Sequence, residues 1–200
     1  MRKKAIDPSF PRRQKIVGVM GSGEEEHGTL SETVGRVIAQ EGHHLLSGAA
    51  EGVMKAVSRA FLQVKNRKGK TIGIVRAKGE GHLGAEKQIR EYRPRKPPNE
   101  FVEIPIFTHL PYSGAQGKDN LSRNHINVLT SDVIVVLPGR SGTQSELELA
   151  VEYGWAIILF SGDQKVGNLT AAELIKKYPD RVTLASNESE LVQALRSCLE

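Results

Sequence analysis

The sequence predicts an α/β fold, a single doubly wound parallel sheet of about seven strands with helices on both faces. Three observations lead there. Short runs rich in Val, Ile and Leu alternate with segments of helical periodicity along most of the chain. Several of these runs end in small-residue turns, the connection expected where a parallel strand hands over to a helix. The 200 residues, 38% of them hydrophobic, suffice for one domain with a substantial core and need neither disulfides nor metal.

The predicted strands are Ile16–Met20, His44–Ser47, Thr71–Val75, Val102–Phe107, Val133–Leu137, Ala156–Phe160 and Val182–Leu184. The Val133–Leu137 run has the length and β-branching of a strand buried on both faces. Between the predicted strands, helical periodicity marks Leu30–Gln40, Gly52–Lys65, Leu121–Leu129, Ser145–Tyr153 and Ala171–Lys177, and Glu188–Leu199 closes the chain. Four helix starts share one signature: Thr29 with Glu32, Thr143 with Glu146, Thr170 with Glu173, and Asn187 with Glu190. Each reads as a capping box, in which the Glu reaches back to the cap N–H. By spacing alone, Glu146 carries no more functional weight than Glu173.

The segment from Arg76 to Asn120 is irregular. It holds Gly79, Gly81 and Gly84, then a basic patch of Lys87, Arg90, Arg93, Arg95 and Lys96 broken by prolines. A loop of this length reads equally as a lid over a site or as a solvated insertion.

The formal net charge of +5 arises in residues 1–15, where Arg2, Lys3, Lys4, Arg12, Arg13 and Lys15 face Asp7 alone; the rest of the chain balances. Residues 1–15 are therefore expected to be a basic flexible tail ahead of a single domain, 16–200, and nucleic acid is not expected as a partner. No apolar run approaches the ~20 residues of a membrane span, and no apolar segment follows the basic start as in a secretory signal. With Cys198 as the single cysteine, a cytoplasmic location is expected.

Three Gly-rich turns follow strands. Gly21-Ser22-Gly23 follows the first, but Glu26 stands at the third glycine position of the dinucleotide fingerprint. A nicotinamide or flavin dinucleotide is thus disfavoured, and so is a P-loop NTPase, whose motif does not occur. Ser47-Gly48-Ala-Ala-Glu-Gly52 follows the second strand, and Met54 just beyond it is expected in the core. The third turn, Pro138-Gly139-Arg140-Ser141-Gly142-Thr143, joins the Val133–Leu137 run to a helix expected to begin near Thr143. Strand, glycine turn and helix N-terminus together form a backbone cradle for an anion, where orphan N–H groups and the helix dipole converge. Arg123, in the first turn of the preceding helix beside Asn124, is placed to grip a phosphate or carboxylate in that cleft. The Glu24-Glu25-Glu26 run reads as a solvated loop. The six histidines show no metal-ligand spacing. Ser141 lacks the second glycine of a nucleophile elbow.

With these residues in view, the chain resembles the LONELY GUY-like (LOG-like, or SLOG) superfamily, whose members often carry a lysine decarboxylase label. Its P-G-G-x-G-T-x-x-E motif is matched at Pro138, Gly139, Gly142, Thr143 and Glu146, and Arg123 falls in the place of the family's helix arginine. The Ser47–Met54 turn resembles a degenerate form of the family's second motif. The likeness spans roughly residues 16–160. It implies a Rossmann-like fold, a homo-oligomer (dimer or tetramer) and a ligand phosphate at the Gly-Thr helix start. The implied phosphate-binding set is Gly21, Ser22, Gly23, Gly48, Gly52, Pro138, Gly139, Arg140, Ser141, Gly142 and Thr143. The implied activity is hydrolysis of the N-glycosidic bond of nucleoside 5′-monophosphates, with Glu146 and Arg123 catalytic and no cofactor required. Arg140, however, replaces the family's second glycine. The Tyr112–Lys118 loop and the Arg123-Asn124 pair are similar to the branch of molybdenum cofactor carrier proteins. That branch implies a bound cofactor or nucleotide and no bond cleavage. The two readings stand side by side.

Overall fold

In a computed structural model, residues 13–78 and 94–200 are described. Most of the basic segment 1–15, and Gly79, Gly81, Gly84, Lys87, Arg90 and Arg93 of the irregular segment, lie outside the described residues. So does the body of the suggested lid.

The strands are β1 (Ile16–Met20), β2 (His44–Ser47), β3 (Thr71–Val75), β4 (Ile104–Phe107), β5 (Val133–Val136), β6 (Ile157–Leu159) and β7 (Val182–Leu184). The helices are α1 (Gly28–Gln40), α2 (Val53–Gln63), α3 (Asn124–Thr130), α4 (Ser141–Glu152), α5 (Ala171–Lys177) and α6 (Glu188–Leu199). The strands form one parallel sheet in the order β4-β3-β2-β1-β5-β6-β7. The chain works outward from β1 in one direction and then returns to lay β5 on its other side. The β1/β5 boundary is therefore the topological switch point, where ligands bind at the carboxyl ends of such sheets.

The pleat divides the residues of β1 and β5 between two cores, while Leu46, Ile72 and Ile74 of β2 and β3 form a smaller third cluster. Val17 and Val19 of β1, with Val133 and Val135 of β5, face α1, α2 and α6. Met20, Ile134 and Val136 face α3, α4 and α5. Period-2 alternation in strands that are apolar throughout is what a doubly covered sheet requires.

Several expectations are corrected here. The helix after the third glycine turn begins at Ser141, not near Thr143. The helix expected from Leu121 begins at Asn124, because residues 119–123 form turns closed by Ser122 N–H to the Asp119 carbonyl. The strand expected from Val102 begins at Ile104, and its four residues are exposed. Among the described residues it is a sheet edge, and Pro105, which has no N–H to offer a further strand, fits that place.

Of the four capping boxes, only Thr170 with Glu173 is complete. Asn187 accepts from Glu190 N–H at 3.0 Å, while the Glu190 carboxylate reaches Ser186 N–H rather than the cap amide. Thr29 and Thr143 both lie inside their helices, α1 being entered through His27 in a left-handed conformation (φ 45). At the chain start, Arg13 is clamped on Asp132 at 2.8 and 2.7 Å, and Gln14 donates to the Gly42 carbonyl.

Candidate functional site

A cleft of about 460 Å³ opens over the carboxyl ends of β5, β1, β2 and β3. That volume suits a nucleotide-sized ligand. Its floor is built by turns that the sequence marks with glycine. Gly52 has φ +63, and a Cβ there would meet the Ser22 carbonyl oxygen at 2.5 Å and Glu24 N at 2.7 Å. A Cβ at Gly139 would meet Ser22 N at 2.9 Å. The turns after β1, β2 and β5 are thus in backbone contact with one another, which only glycine permits.

Ser22 stitches them together. Its N–H donates to the Pro138 carbonyl at 3.0 Å, its carbonyl accepts from Val53 N–H at 2.9 Å, and its Oγ accepts from the amides of Glu24 and Glu25. Gly52, Pro138 and Gly139, expected at the ligand, do not line the cleft; they hold the turns from beneath. Gly21, Ser22, Gly23, Gly48, Arg123, Arg140, Ser141, Gly142, Thr143 and Glu146 do line it. Met54, expected in the core, is only partly buried and faces the cleft. Glu24, expected in a solvated loop, is on the rim.

The turn expected to cradle an anion lies at the start of α4. The first intrahelical bond is donated by Gln144 N–H to the Arg140 carbonyl at 3.1 Å. The amides of Ser141, Gly142 and Thr143 precede it and have no carbonyl of their own helix to reach. Arg140 stands over this end, exposed, with its guanidinium 2.8 Å from Glu24 and 3.6 Å from Glu25.

Arg123 and Glu146 are both buried at the cleft wall. The Arg123 Nη1 donates to the carbonyls of Gly48 and Ile74, at the ends of β2 and β3, while its Nε has no partner. A Cβ at Gly48 would meet the Arg123 Cζ at 2.7 Å, so the glycine makes room for this guanidinium. Burial pulls the Arg123 pKa down to about 10, against the opposing charge of Glu146. Burial raises the Glu146 carboxyl above its ordinary value, opposed by the 2.8 Å bond from Asn127 Nδ2 and the more distant charge of Arg123.

Sequence reasoning missed Arg76, and it read Arg95 and Lys96 only as part of a loop patch; all three line the far end of the cleft. The signal for Arg76 was present. It follows β3 directly, as Gly21 follows β1 and Gly48 follows β2.

A family model described as the SLOG cluster4 family matches residues 14–192. A relative from Archaeoglobus fulgidus, described as an uncharacterized protein, is 30% identical over 142 residues, covering 69% of this chain and 74% of the relative. Among solved structures, the molybdenum cofactor binding protein of the phototrophic bacterium Rippkaea orientalis matches with a TM-score of 0.69 at 29% identity, covering 94% of this chain and 99% of the other. The Moco carrier protein of Chlamydomonas reinhardtii shares the fold with a TM-score of 0.68 at 24% identity, with 94% and 98% covered.

Proposed function

Because the chain belongs to the SLOG cluster4 family, we propose that it binds a phosphorylated, nucleotide-sized ligand at the β1/β5 crevice and carries it uncut. The molybdenum cofactor is the ligand this reading assigns. One observation carries it: the two residues a glycosidic hydrolase would need are buried and already hydrogen-bonded within the protein. Arg123 spends its Nη1 on two backbone carbonyls. Burial holds the Glu146 carboxyl toward its neutral form, with Asn127 bonded to it. A carboxyl whose burial disfavours the charged form stabilises an oxocarbenium-like sugar less well, and a guanidinium engaged with carbonyls has less to offer a substrate. The 29% identity to the Rippkaea orientalis molybdenum cofactor binding protein supports the same reading.

The residues present fit such a cofactor. The amides of Ser141, Gly142 and Thr143 with the Arg140 guanidinium would take its phosphate. Met54 and Asn124 would border its ring system. Among the described residues, no group of three His, Cys, Asp or Glu side chains is placed to hold a metal ion. Cys198 packs against the first core, away from the cleft. The chain would thus grip the ligand by charge and backbone amides, leaving the metal on its own sulfur ligands. The cofactor supplies a redox-active metal centre, which a carrier leaves unreacted.

The test has two arms. Purified protein, made in cells that synthesise the cofactor, should contain molybdenum and an oxidisable pterin in near-equal amounts. It should release no free base from AMP or GMP. Base release that Glu146→Gln abolishes, from protein free of molybdenum and pterin, would overturn the proposal in favour of the hydrolase.

A further inference from the structure

The cleft extends well past the cradle. The carboxyl ends of β5 and β3 are three strand steps apart across β1 and β2, about 14 Å at ~4.8 Å per step. At the β3 end stand Arg76, Arg95 and Lys96. The backbone holds them together. Arg95 N–H donates to the Arg76 carbonyl at 3.1 Å, and Ala77 pairs with Pro94 in a short antiparallel bridge. Asn99 pins this segment onto the β2 turn, its N–H bonded to the Ala49 carbonyl at 2.9 Å and its Nδ2 to that of Ala50 at 2.8 Å.

Among the described residues, the acidic groups near this end are engaged elsewhere. Glu51 and Glu100 both pair with Lys55, Glu24 pairs with Arg140, and Glu146 takes its bond from Asn127. Among the described residues, none of Arg76, Arg95 and Lys96 has a carboxylate partner. Arg76 is partly buried, and burial, followed by the charge of Arg95, lowers its pKa. Two arginines tied together through their backbone, lining one cleft and with no carboxylate partner among the described residues, create a position that favours an anion.

We infer that Arg76, Arg95 and Lys96 form a second anion subsite, and that the ligand is an elongated molecule with an anionic group at each end. One end lies on the α4 cradle with Arg140, the other on the β3 arginines. This rests on the binding reading above and narrows it. A nucleoside monophosphate, neutral at its base end, leaves the far subsite unfilled. A phosphate at one end and an oxyanionic metal centre or second phosphate at the other fills both.

Tungstate, a stable oxyanion measurable by elemental mass spectrometry, serves as the probe in equilibrium dialysis of the full chain. The wild-type protein should bind two tungstates per chain. The R76Q/R95Q double variant should bind one, with at least a tenfold loss at the second. Arg140→Gln should weaken the other one while sparing the far subsite. Since Arg95 is exposed, Arg95→Gln alone repeats the test if the double variant does not fold; it should weaken one tungstate at least threefold. One tungstate per wild-type chain, or unchanged binding by the arginine variants, would overturn the second subsite and leave the cradle standing. Binding of none would overturn the carrier reading too.

Discussion

Glu146 and Glu173 carry the same local sequence, a Thr three residues earlier, and their carboxyls are shifted in opposite directions. Glu173 is on the surface with its carboxylate bonded to the Thr170 N–H and hydroxyl, which lowers its pKa. Glu146 is buried against Asn127, and burial raises it. The sign of the consequence follows from linkage. In the folded protein Glu146 keeps a proton that the unfolded chain has already released once the pH passes the ordinary carboxylate value. Its contribution to stability is therefore full below that value and is lost as pH rises through the folded-state value. Glu146→Gln removes this loss and keeps an acceptor for Asn127. Thermal unfolding from about pH 4 to about pH 8 should show the variant and wild type converging at the acid end, with the variant gaining as pH rises. A variant less stable at neutral pH would mean an ionised, paired Glu146.

At the scale of the element, the sequence signature of a capping box does not distinguish a cap from a helix interior. Thr170 caps α5, accepting from Glu173 N–H, whereas Thr29 lies within α1 and makes no cap bond. The difference lies in where the preceding chain turns. His27 enters α1 two residues before Thr29, and Arg140 enters α4 three before Thr143. Thr170→Ala should cost ~1 kcal/mol in urea unfolding, and Thr29→Ala should stay within ~0.5 kcal/mol of wild type. Equal effects would show that the cap bond contributes nothing. The earlier start of α4 has a functional consequence as well. It places the amides of Ser141, Gly142 and Thr143, rather than those after Thr143, at the mouth of the cleft.

In the whole molecule, packing overrules local preference where layers meet. A glycine inside a helix is ordinarily a weak point, and Ala in its place gains ~0.5–1 kcal/mol. Gly35 of α1 reverses that sign. A Cβ there would meet Ala60 Cβ at 2.9 Å and Phe61 N at 3.0 Å of α2, so the two helices would have to move apart over the first core. Gly35→Ala should destabilise by ~1–3 kcal/mol, seen as a lower urea midpoint with an unchanged slope; a gain in stability would mean that the helices separate at little cost.

The sequence by itself determined the alternation of strands and helices, the parallel sheet and the three glycine turns. These are local properties: hydrophobic period, turn chemistry and helix-start donors act over a few residues. The β4 edge was not read from the sequence, where the apolar run pointed to a buried strand, although Pro105 was there to mark it. The tertiary structure alone decided what Arg123 and Glu146 do. The carbonyls that engage Arg123 belong to residues 75 and 49 positions away in sequence. The burial that raises Glu146 comes from helices on one face of the sheet. It also decided that Arg76 and Arg95 share one end of the cleft with the cradle at the other. A charge's partners and its solvation depend on which chain segments the sheet order brings together, and that order is settled only when the two cores close on the sheet.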